Sequence, residues 1–274
     1  MIKHLQISVP EYVQNRKEEL KKRIKDEEVI LAVIQVGDDP ASNSYIKGKK
    51  KDCEEVGIHL DHYHYPADFD EVMLMQTIDI LNLDDSCHGI IVQLPLPPHI
   101  DVKKVQMRID PKKDVDGFHP MSEFKPCTPM GVINYLKAND YRFEGKNALV
   151  IGRSDIVGKP LAELLTDLDC TVTLAHSKTY GIYGNMLGKH LVFTATNKIE
   201  YYTEFYSQVL RDAEVVIDIG LGRSPLDNKL HGNMSRNLVE IMKYTNKDIV
   251  SGIGGVGLLT RLQLVENTII ASGL

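Results

Sequence analysis

The segment Tyr45-Ile-Lys-Gly-Lys-Lys-Lys-Asp-Cys-Glu-Glu-Val56 holds the first residues whose types and spacing could do chemistry. At roughly 100° per helical residue, Tyr45, Ile46, Lys49, Cys53 and Val56 share an arc of about 100°, while Lys47, Lys50 and Lys51 point elsewhere. Lys49 is the lysine on the apolar stripe. Such a side chain either snorkels outward or sits in a partly desolvated cleft, where its proton affinity falls and it can exchange protons near neutral pH. Gln93, in Gly89-Ile-Ile-Val-Gln-Leu-Pro-Leu-Pro-Pro98, closes an apolar run of the kind that forms a buried parallel strand, and strand ends of this type present ligand-binding groups. A plain amide cap of the strand end is the alternative. Asp114-Val-Asp-Gly117 is either a simple turn or a loop presenting the Asp116 carboxylate.

A second chemical feature is Asn147-Ala-Leu-Val-Ile-Gly-Arg-Ser-Asp-Ile-Val-Gly158. It reads as strand, glycine turn and helix start, the arrangement in which free backbone N–H groups and the helix dipole hold a pyrophosphate. Its spacing, with Gly152, Ser154 and Gly158, departs from G-x-G-x-x-G, and a βα turn that needs glycine for packing fits equally well. The following strand ends in His176-Ser177-Lys178-Thr179, with no acid to receive a ribose 2′-hydroxyl. Hydroxyl and cationic donors there, with Arg153 close by, suit a 2′-phosphate, so a bound dinucleotide is expected to be NADP rather than NAD. Ser251-Gly-Ile-Gly-Gly-Val-Gly257 is either a surface for close approach to a flat ligand or a flexible linker.

Elements of two kinds must position these residues. Short β-like runs and helical stretches alternate through Ile30–Val36, Ser44–Val56, His59–Tyr65, Glu71–Leu81 and Gly89–Leu94, which is the pattern of βαβ units on a parallel sheet. A turn-rich passage between Pro111 and Pro129 marks a domain junction. After a short helix near Gly131–Ala138 the pattern restarts with a strand at Ala148–Ile151, a helix at Lys159–Leu168 and a strand at Thr171–Ala175. Strands at Leu191–Thr194 and Val215–Ile219 and a helix over Leu258–Ala271 follow. The 274 residues give a prior of about two domains. With 43% hydrophobic and 26% charged residues, disordered, collagenous and coiled-coil classes are excluded. A net charge of −6 argues against a general nucleic-acid binder. The first residues lack the apolar stretch of a secretory signal, and no run approaches the roughly 20 apolar residues of a membrane span. Cys53, Cys87, Cys127 and Cys170 make no C-x-x-C pair, which fits core thiols in a cytoplasmic protein and neither a zinc cage nor a disulfide framework. No residue is assigned to a metal.

Together these segments resemble the methylenetetrahydrofolate dehydrogenase/cyclohydrolase family. The resemblance is carried by Val36-Gly-Asp-Asp-Pro-Ala-Ser42, Tyr45-x3-Lys49-x-Lys51, Gly89-Ile-Ile-Val-Gln-Leu-Pro-Leu-Pro97, Asp114-Val-Asp-Gly117, Pro126-Cys-Thr-Pro-x-Gly131, Gly152-Arg-Ser-x2-Val-Gly158 and His176-Ser-x-Thr179, all in family order. Later matches are thinner: Val216-Ile-Asp-Ile-Gly220, Gly254-Gly-Val-Gly257, Thr260 and Glu266-Asn-Thr268. The resemblance implies two α/β domains with a cleft between them. Residues 1–119 with 258–274 form the catalytic, folate-binding domain, and 120–257 a Rossmann-type NADP-binding domain. It implies NADP-dependent oxidation of 5,10-methylenetetrahydrofolate and hydrolysis of the methenyl product to 10-formyltetrahydrofolate, in one-carbon metabolism and purine biosynthesis.

By match to the family, Lys49, Gln93 and Asp116 are catalytic, and Tyr45, Gly254, Gly255 and Val256 join them in binding folate. Tyr45 supplies an aromatic wall, Asp116 holds the pterin edge and Gln93 positions Lys49. Gly152, Arg153, Ser154, Gly158, His176, Ser177 and Leu221 bind NADP. The implied partners are tetrahydrofolate derivatives and a second copy of the chain, with no nucleic acid and no membrane.

The departures from the family lie mostly in the second half. The family's longer loop shrinks to Met-Ser-Glu-Phe-Lys between Pro120 and Pro126. P-V-P-G-G-V-G-P-M-T becomes Ser251-Gly-Ile-Gly-Gly-Val-Gly-Leu-Leu-Thr260, which exchanges a rigid wall for a mobile one. A-x-G-x-P reads Ala195-Thr-Asn-Lys-Ile199, and Gly222 replaces the Asn of G-I-N-R. These changes leave two alternatives open: a cyclohydrolase with weak or lost dehydrogenase activity, and a non-catalytic folate- or nucleotide-binding paralogue.

Overall fold

The computed structural model describes residues 5–180, 187–196, 213–223, 230–233 and 248–274. The chain divides into two compact units, one of Gln14–Cys127 with Arg261–Leu274 and one of Met1–Val13 with Thr128–Thr260. Residues 5–13 thus group with the unit that carries the second sheet.

The first unit is built on three parallel strands, β1 (Val29–Val36), β2 (Ile58–Tyr65) and β3 (Gly89–Val92), in the order β2-β1-β3. Leu31 of β1 registers with Leu60 of β2 and with Gly89 of β3. β1 is central, and its near-continuous apolar sequence suits a strand covered on both faces. Ala32, Ile34 and Val36 pack with Leu74, Ile78 and Leu81 of α3 (Glu71–Leu83) and Val105 of α4 (Val102–Arg108). The alternate residues, including Gln35, point to the opposite face.

Acidic caps start the helices. Asp70 accepts from the N–H groups of Val72 and Met73 to open α3, and Asp101 accepts from Lys103 and Lys104 to open α4. α2 (Pro40–Val56) has Asp39 as its cap, Pro40 at its first turn and Gly57 at its end with φ 98°, a left-handed conformation that glycine adopts without strain. α1 (Val9–Ile24) begins in the other unit and ends in this one.

The second unit holds five parallel strands, β4 (Asn147–Ile151), β5 (Thr171–Ala175), β6 (Leu191–Thr194), β7 (Val215–Asp218) and β10 (Asp248–Val250), in the order β10-β7-β6-β4-β5. β8 (Leu221–Arg223) and β9 (Leu230–Gly232) form a separate antiparallel hairpin. From β4 the chain moves first to β5 on one side and then to β6 on the other, so the order reverses beside β4. A crevice at such a reversal is where α/β sheets bind ligands. α6 (Gly158–Asp167) connects β4 to β5, and α5 (Cys127–Ala138) precedes β4. Ser251–Gly257, read as a contact surface or a linker, forms a π-helical turn over Gly252–Val256 that runs directly into α7 (Gly257–Ala271). A Cβ on Gly252 would lie 2.9 Å from the Asp218 carbonyl oxygen, so the turn packs on the strand end instead of looping free. This segment is therefore a regular element and not an open linker. Among the described residues no helix is long and apolar enough to cross a membrane.

Candidate active site

In the first unit, Lys49, Gln93 and Asp116 come together. Lys49 is 8% exposed, so its stem and amine occupy a desolvated position instead of snorkelling. Its Nζ donates to Gln93 Oε1 at 3.0 Å, and Gln93 Nε2 donates to the Leu94 carbonyl at 2.7 Å. The second bond fixes the amide so that its acceptor end faces the lysine. Burial lowers the proton affinity of Lys49, while Asp116 and the thiols of Cys127 and Cys53 pull it partly back. The Asp116 carboxyl is held above the usual range by the same loss of water, with Lys49 offsetting part of that cost. A base drawn toward its neutral form beside an acid drawn toward its own is a pair suited to moving protons.

Several elements hold this pair in place. The cap of α2 is joined to the β3 exit, because Asp39 Oδ1 accepts from Ser42 N at 2.8 Å and Ser42 Oγ donates to the Leu94 carbonyl at 3.3 Å. Tyr45 stands one turn before Lys49 on α2, half-buried.

Asp114-Val-Asp-Gly117 is both a turn and a carboxylate-bearing loop. The buried Asp114 accepts from His119 N at 2.7 Å, and the Ser122 hydroxyl donates to the Asp114 carbonyl at 3.0 Å, so the shortened loop folds back on this turn. Gly117 has φ 74°, and a Cβ there would lie 2.5 Å from the backbone of Lys125. Asn267 of α7 donates to the Val115 carbonyl at 2.8 Å and accepts from Gln263 Nε2 at 2.8 Å. Cys127 contacts the Asp116 carboxyl and donates weakly to the Val115 carbonyl at 3.3 Å. Its proton is held far more tightly than that of an ordinary thiol, through burial and the nearby Asp116. Cys53 is likewise pushed up to about 12 by burial, so these thiols are core groups and not nucleophiles. Sequence reasoning missed Asn267 and Cys127 as supports of Asp116. Both stood in quoted motifs, but the partners they share with this loop, the Val115 carbonyl and the Asp116 carboxyl, are brought near only by the fold.

In the second unit, Gly152, Arg153, Ser154, His176, Ser177 and Leu221 line one cavity of about 570 Å³ at the strand reversal, whereas Gly158 lies buried at the base of α6 and outside its lining. Glycines are needed here for close packing. A Cβ on Gly152 would lie 2.1 Å from the Ala195 carbonyl oxygen, and one on Gly158 would lie 2.1 Å from the Gly152 carbonyl oxygen. At the helix start two backbone donors already meet Ser154. Gly158 N donates to Ser154 Oγ at 3.3 Å, Lys159 N donates to the Ser154 carbonyl at 3.1 Å, and Pro160 has no N–H. Ser154 satisfies the turn and keeps its hydroxyl proton for an outside acceptor.

Among the described residues the cavity lining carries no carboxylate, and it carries the Arg153 guanidinium together with the Ser154 and Ser177 hydroxyls. That donor set fits the phosphates of NADP, including the one on the ribose. Behind the lining residues Thr196 and Gly220, buried Asp218 accepts from Thr194 Oγ1 at 2.6 Å and from Asn233 N at 3.0 Å, and Asn233 Nδ2 donates to the Thr196 carbonyl at 2.6 Å. A Cβ on Gly220 would lie 1.9 Å from Asn233 Oδ1, so this clamp shapes the pocket wall. Asn233 was not foreseen, because no motif marks it. Gly254 and Gly255 line a second cavity of this unit, of about 420 Å³, with Gln6, Tyr135 and Asp248, and Val256 is buried. Among the departures, Gly222 is buried in the β8–β9 hairpin opposite His231, while Asn197, Lys198 and Ile199 lie outside the described residues.

The family model for the tetrahydrofolate dehydrogenase/cyclohydrolase catalytic domain matches residues 5–116, and that for the NAD(P)-binding domain of the same family matches 126–273. The chain belongs to this family. It is 42% identical over 249 residues to the bifunctional protein FolD of Bacillus licheniformis, covering 87% of this chain and 85% of that one. To the FolD of Bacillus cytotoxicus it is 40% identical over 274 residues, covering 94% and 93%. Among solved structures, the FolD methylenetetrahydrofolate dehydrogenase/cyclohydrolase of Campylobacter jejuni superposes with a TM-score of 0.87 at 38% identity, covering 96% of each chain. The Trypanosoma brucei enzyme, solved with NADP cofactor and inhibitor, has a TM-score of 0.86 at 26% identity, covering 100% of this chain and 98% of that one. The two-domain α/β architecture of this family is the one described above, with a catalytic domain and an NAD(P)-binding domain.

Proposed function

We propose that the chain is a bifunctional enzyme that oxidises 5,10-methylenetetrahydrofolate to the 5,10-methenyl form with NADP and hydrolyses that product to 10-formyltetrahydrofolate. The observation that carries the reading is the buried Lys49 amine bonded to Gln93 beside Asp116, a proton-exchanging pair in the family's catalytic domain. Bound NADP would supply a hydride acceptor, held by Arg153, Ser154 and Ser177, with Gly152 and Gly158 keeping the turn compact, His176 beside the ribose phosphate and Leu221 toward the nicotinamide.

On the folate side, Asp116 accepts hydrogen bonds from adjacent pterin N–H donors and orients the ring, and Tyr45 packs against its face. Gly254, Gly255 and Val256 give further backbone contact. In the hydrolysis, Lys49 removes a proton as water adds to the methenyl carbon, and a proton goes to the ring nitrogen as its bond to that carbon breaks. One proton is released overall. Such assistance contributes about 10²- to 10⁴-fold in rate. Gln93 holds the amine at the reacting carbon. The unit carrying Lys49 serves folate, and the unit with the five-stranded sheet serves the cofactor. We further assign the chain to the cytoplasm and to a supply of formyl groups of the kind purine biosynthesis consumes. It acts as a homodimer formed through the exposed edge strand β5.

Purified protein given methylenetetrahydrofolate should reduce NADP faster than NAD, followed by NADPH and methenyl absorbance. Methenyltetrahydrofolate supplied alone should be hydrolysed without cofactor. Absence of turnover with either nucleotide would remove the dehydrogenase half, and absence of hydrolysis would remove the other. A second reading, a cyclohydrolase with weak dehydrogenase activity, is favoured by Gly222 in the hairpin that continues from Leu221. Hydrolysis without NADP reduction would select it.

A further inference from the structure

Lys49 is backed by a second set of charges that the reaction above does not use. Asp52, 4% exposed, lies one turn beyond Lys49 on α2. Its two carboxylate oxygens are divided between two cations: Oδ1 accepts from Lys17 Nζ of α1, and Oδ2 accepts from Arg261 Nε of α7. Lys17 Nζ also reaches Glu55 Oε2 at 2.6 Å. The arginine is admitted by a glycine. A Cβ on Gly48 would lie 3.2 Å from Arg261 Cζ, Nε and Nη1, so the guanidinium rests on the bare face of α2 next to Lys49. Gly48 and Asp52 are four residues apart and therefore stack on one helix face, making a slot with an open floor and a carboxylate end.

We propose that Arg261, seated on Gly48 and anchored by Asp52, is a positioning residue for Lys49: it sets a fixed cation behind the amine that takes a proton from water. The proposal rests on the reading of Lys49 as the proton-exchanging group. The groups facing Lys49 are Gln93 after β3, Asp116 in its loop, Cys127 at the start of α5, Cys53 on its own helix and Arg261 on α7. Of these, Arg261 is the full positive charge. Burial is the main cause of the lowered proton affinity of Lys49, and Arg261 acts in the same direction, against Asp116 and the thiols. Lys17 is met by Glu55 as well as Asp52, so the four charges balance, and Arg261 acts on Lys49 through its place against Gly48, the residue next to that lysine, where a partly buried charge acts at short range with little screening.

The charge state of Lys49 is measured directly by trace acetylation with acetic anhydride across pH. The Lys49 peptide is quantified by mass spectrometry on the full-length protein, in parallel with the pH profile of methenyltetrahydrofolate hydrolysis. Arg261→Gln, which keeps length and hydrogen bonding but drops the charge, should move both profiles to higher pH. Lys49 acetylation at pH 7 should then fall about threefold, the loss of free amine expected for a modest change in charge environment. Arg261→Lys should restore the wild-type profile. Asp52→Asn should move the profiles the opposite way, because it removes a negative charge. A merely structural network would shift Arg261→Gln and Asp52→Asn together. Unchanged acetylation in Arg261→Gln, or a shift of the same sign in Asp52→Asn, overturns the proposal. If Lys49→Met instead keeps full hydrolysis, the functional reading fails, and the acetylation profiles still decide whether Arg261 governs the amine.

Discussion

A lysine amine that has lost most of its hydration favours its neutral form, and the fold bears the cost wherever the unfolded chain would hold the proton. For Lys49 the sign follows from its lowered proton affinity. Between its lowered folded value and the ordinary lysine value the unfolded chain binds the extra proton, so over that window this group's contribution to stability rises with pH. Asp116, raised by burial, contributes oppositely in the acidic range: the folded chain holds its proton longer, and that contribution is lost as pH rises through the raised value. Lys49→Met keeps the stem and removes the amine. Hydrolysis of methenyltetrahydrofolate should fall about 10²- to 10⁴-fold. Urea denaturation at pH 7 should show a variant at least as stable as the parent, and the difference should shrink as pH approaches the ordinary lysine value. A variant that is less stable at pH 7 would show that the amine is a structural group first.

At the scale of elements, α2 is the part that must not move, since Tyr45, Lys49 and Asp52 all ride on it. Its position is set at its first turn, where Asp39 caps Ser42 N and the Ser42 hydroxyl reaches the Leu94 carbonyl next to Gln93. Asp39→Ala should cost about 0.5–2 kcal/mol in stability. It should also lower kcat more than it raises KM, because a misplaced amine harms proton transfer before it harms binding. Steady-state kinetics and urea melts on one preparation test both, and unchanged kcat would mean that Lys49 is positioned from its far end alone. The βα alternation, the helical stripe through Lys49 and the strand ending at Gln93 were legible in sequence, because each rests on a local period or a strand terminus. α1 was not read, because Lys17 occupies a buried place on a stripe made by Val9, Val13, Leu20 and Ile24, so its apolar period is broken at the centre. The role of Lys17 depends on Asp52, 35 residues later, and on Arg261, 209 residues beyond that. At α6 the sequence left two readings open, and the Ser154 contacts were not legible for a related reason: spacing shows where N–H groups are, not which oxygen already holds them.

For the molecule as a whole, a net charge of −6 is a poor attractant for anionic cofactors and folates, so their recognition must be local. The cavity at the second sheet meets that need with the Arg153 guanidinium and, among the described residues, no carboxylate in its lining. Among the described residues the same sheet ends in β5, which pairs there with β4 alone and offers Thr171 and the 36% exposed Leu174 to solvent. Its sequence, Thr-Val-Thr-Leu-Ala, carries neither charge nor proline, the usual devices that keep an edge from pairing. An unguarded edge on a protein at working concentrations is best explained by a partner, and a second copy of the same strand satisfies both rows of backbone groups by a two-fold axis. Leu174→Glu places a charge where that pairing would bury it. A penalty of about 3 kcal/mol, at the low end for an unpaired buried polar group, raises the dimer dissociation constant by roughly 100-fold. Sedimentation at micromolar concentration should find a dimer for the parent and a monomer for Leu174→Glu. NADP binding should be retained, since the cavity is lined from the strand ends and not from this position. A variant that stays dimeric would place the interface elsewhere, and a parent that sediments as a monomer would leave β5 an edge that this chain simply tolerates.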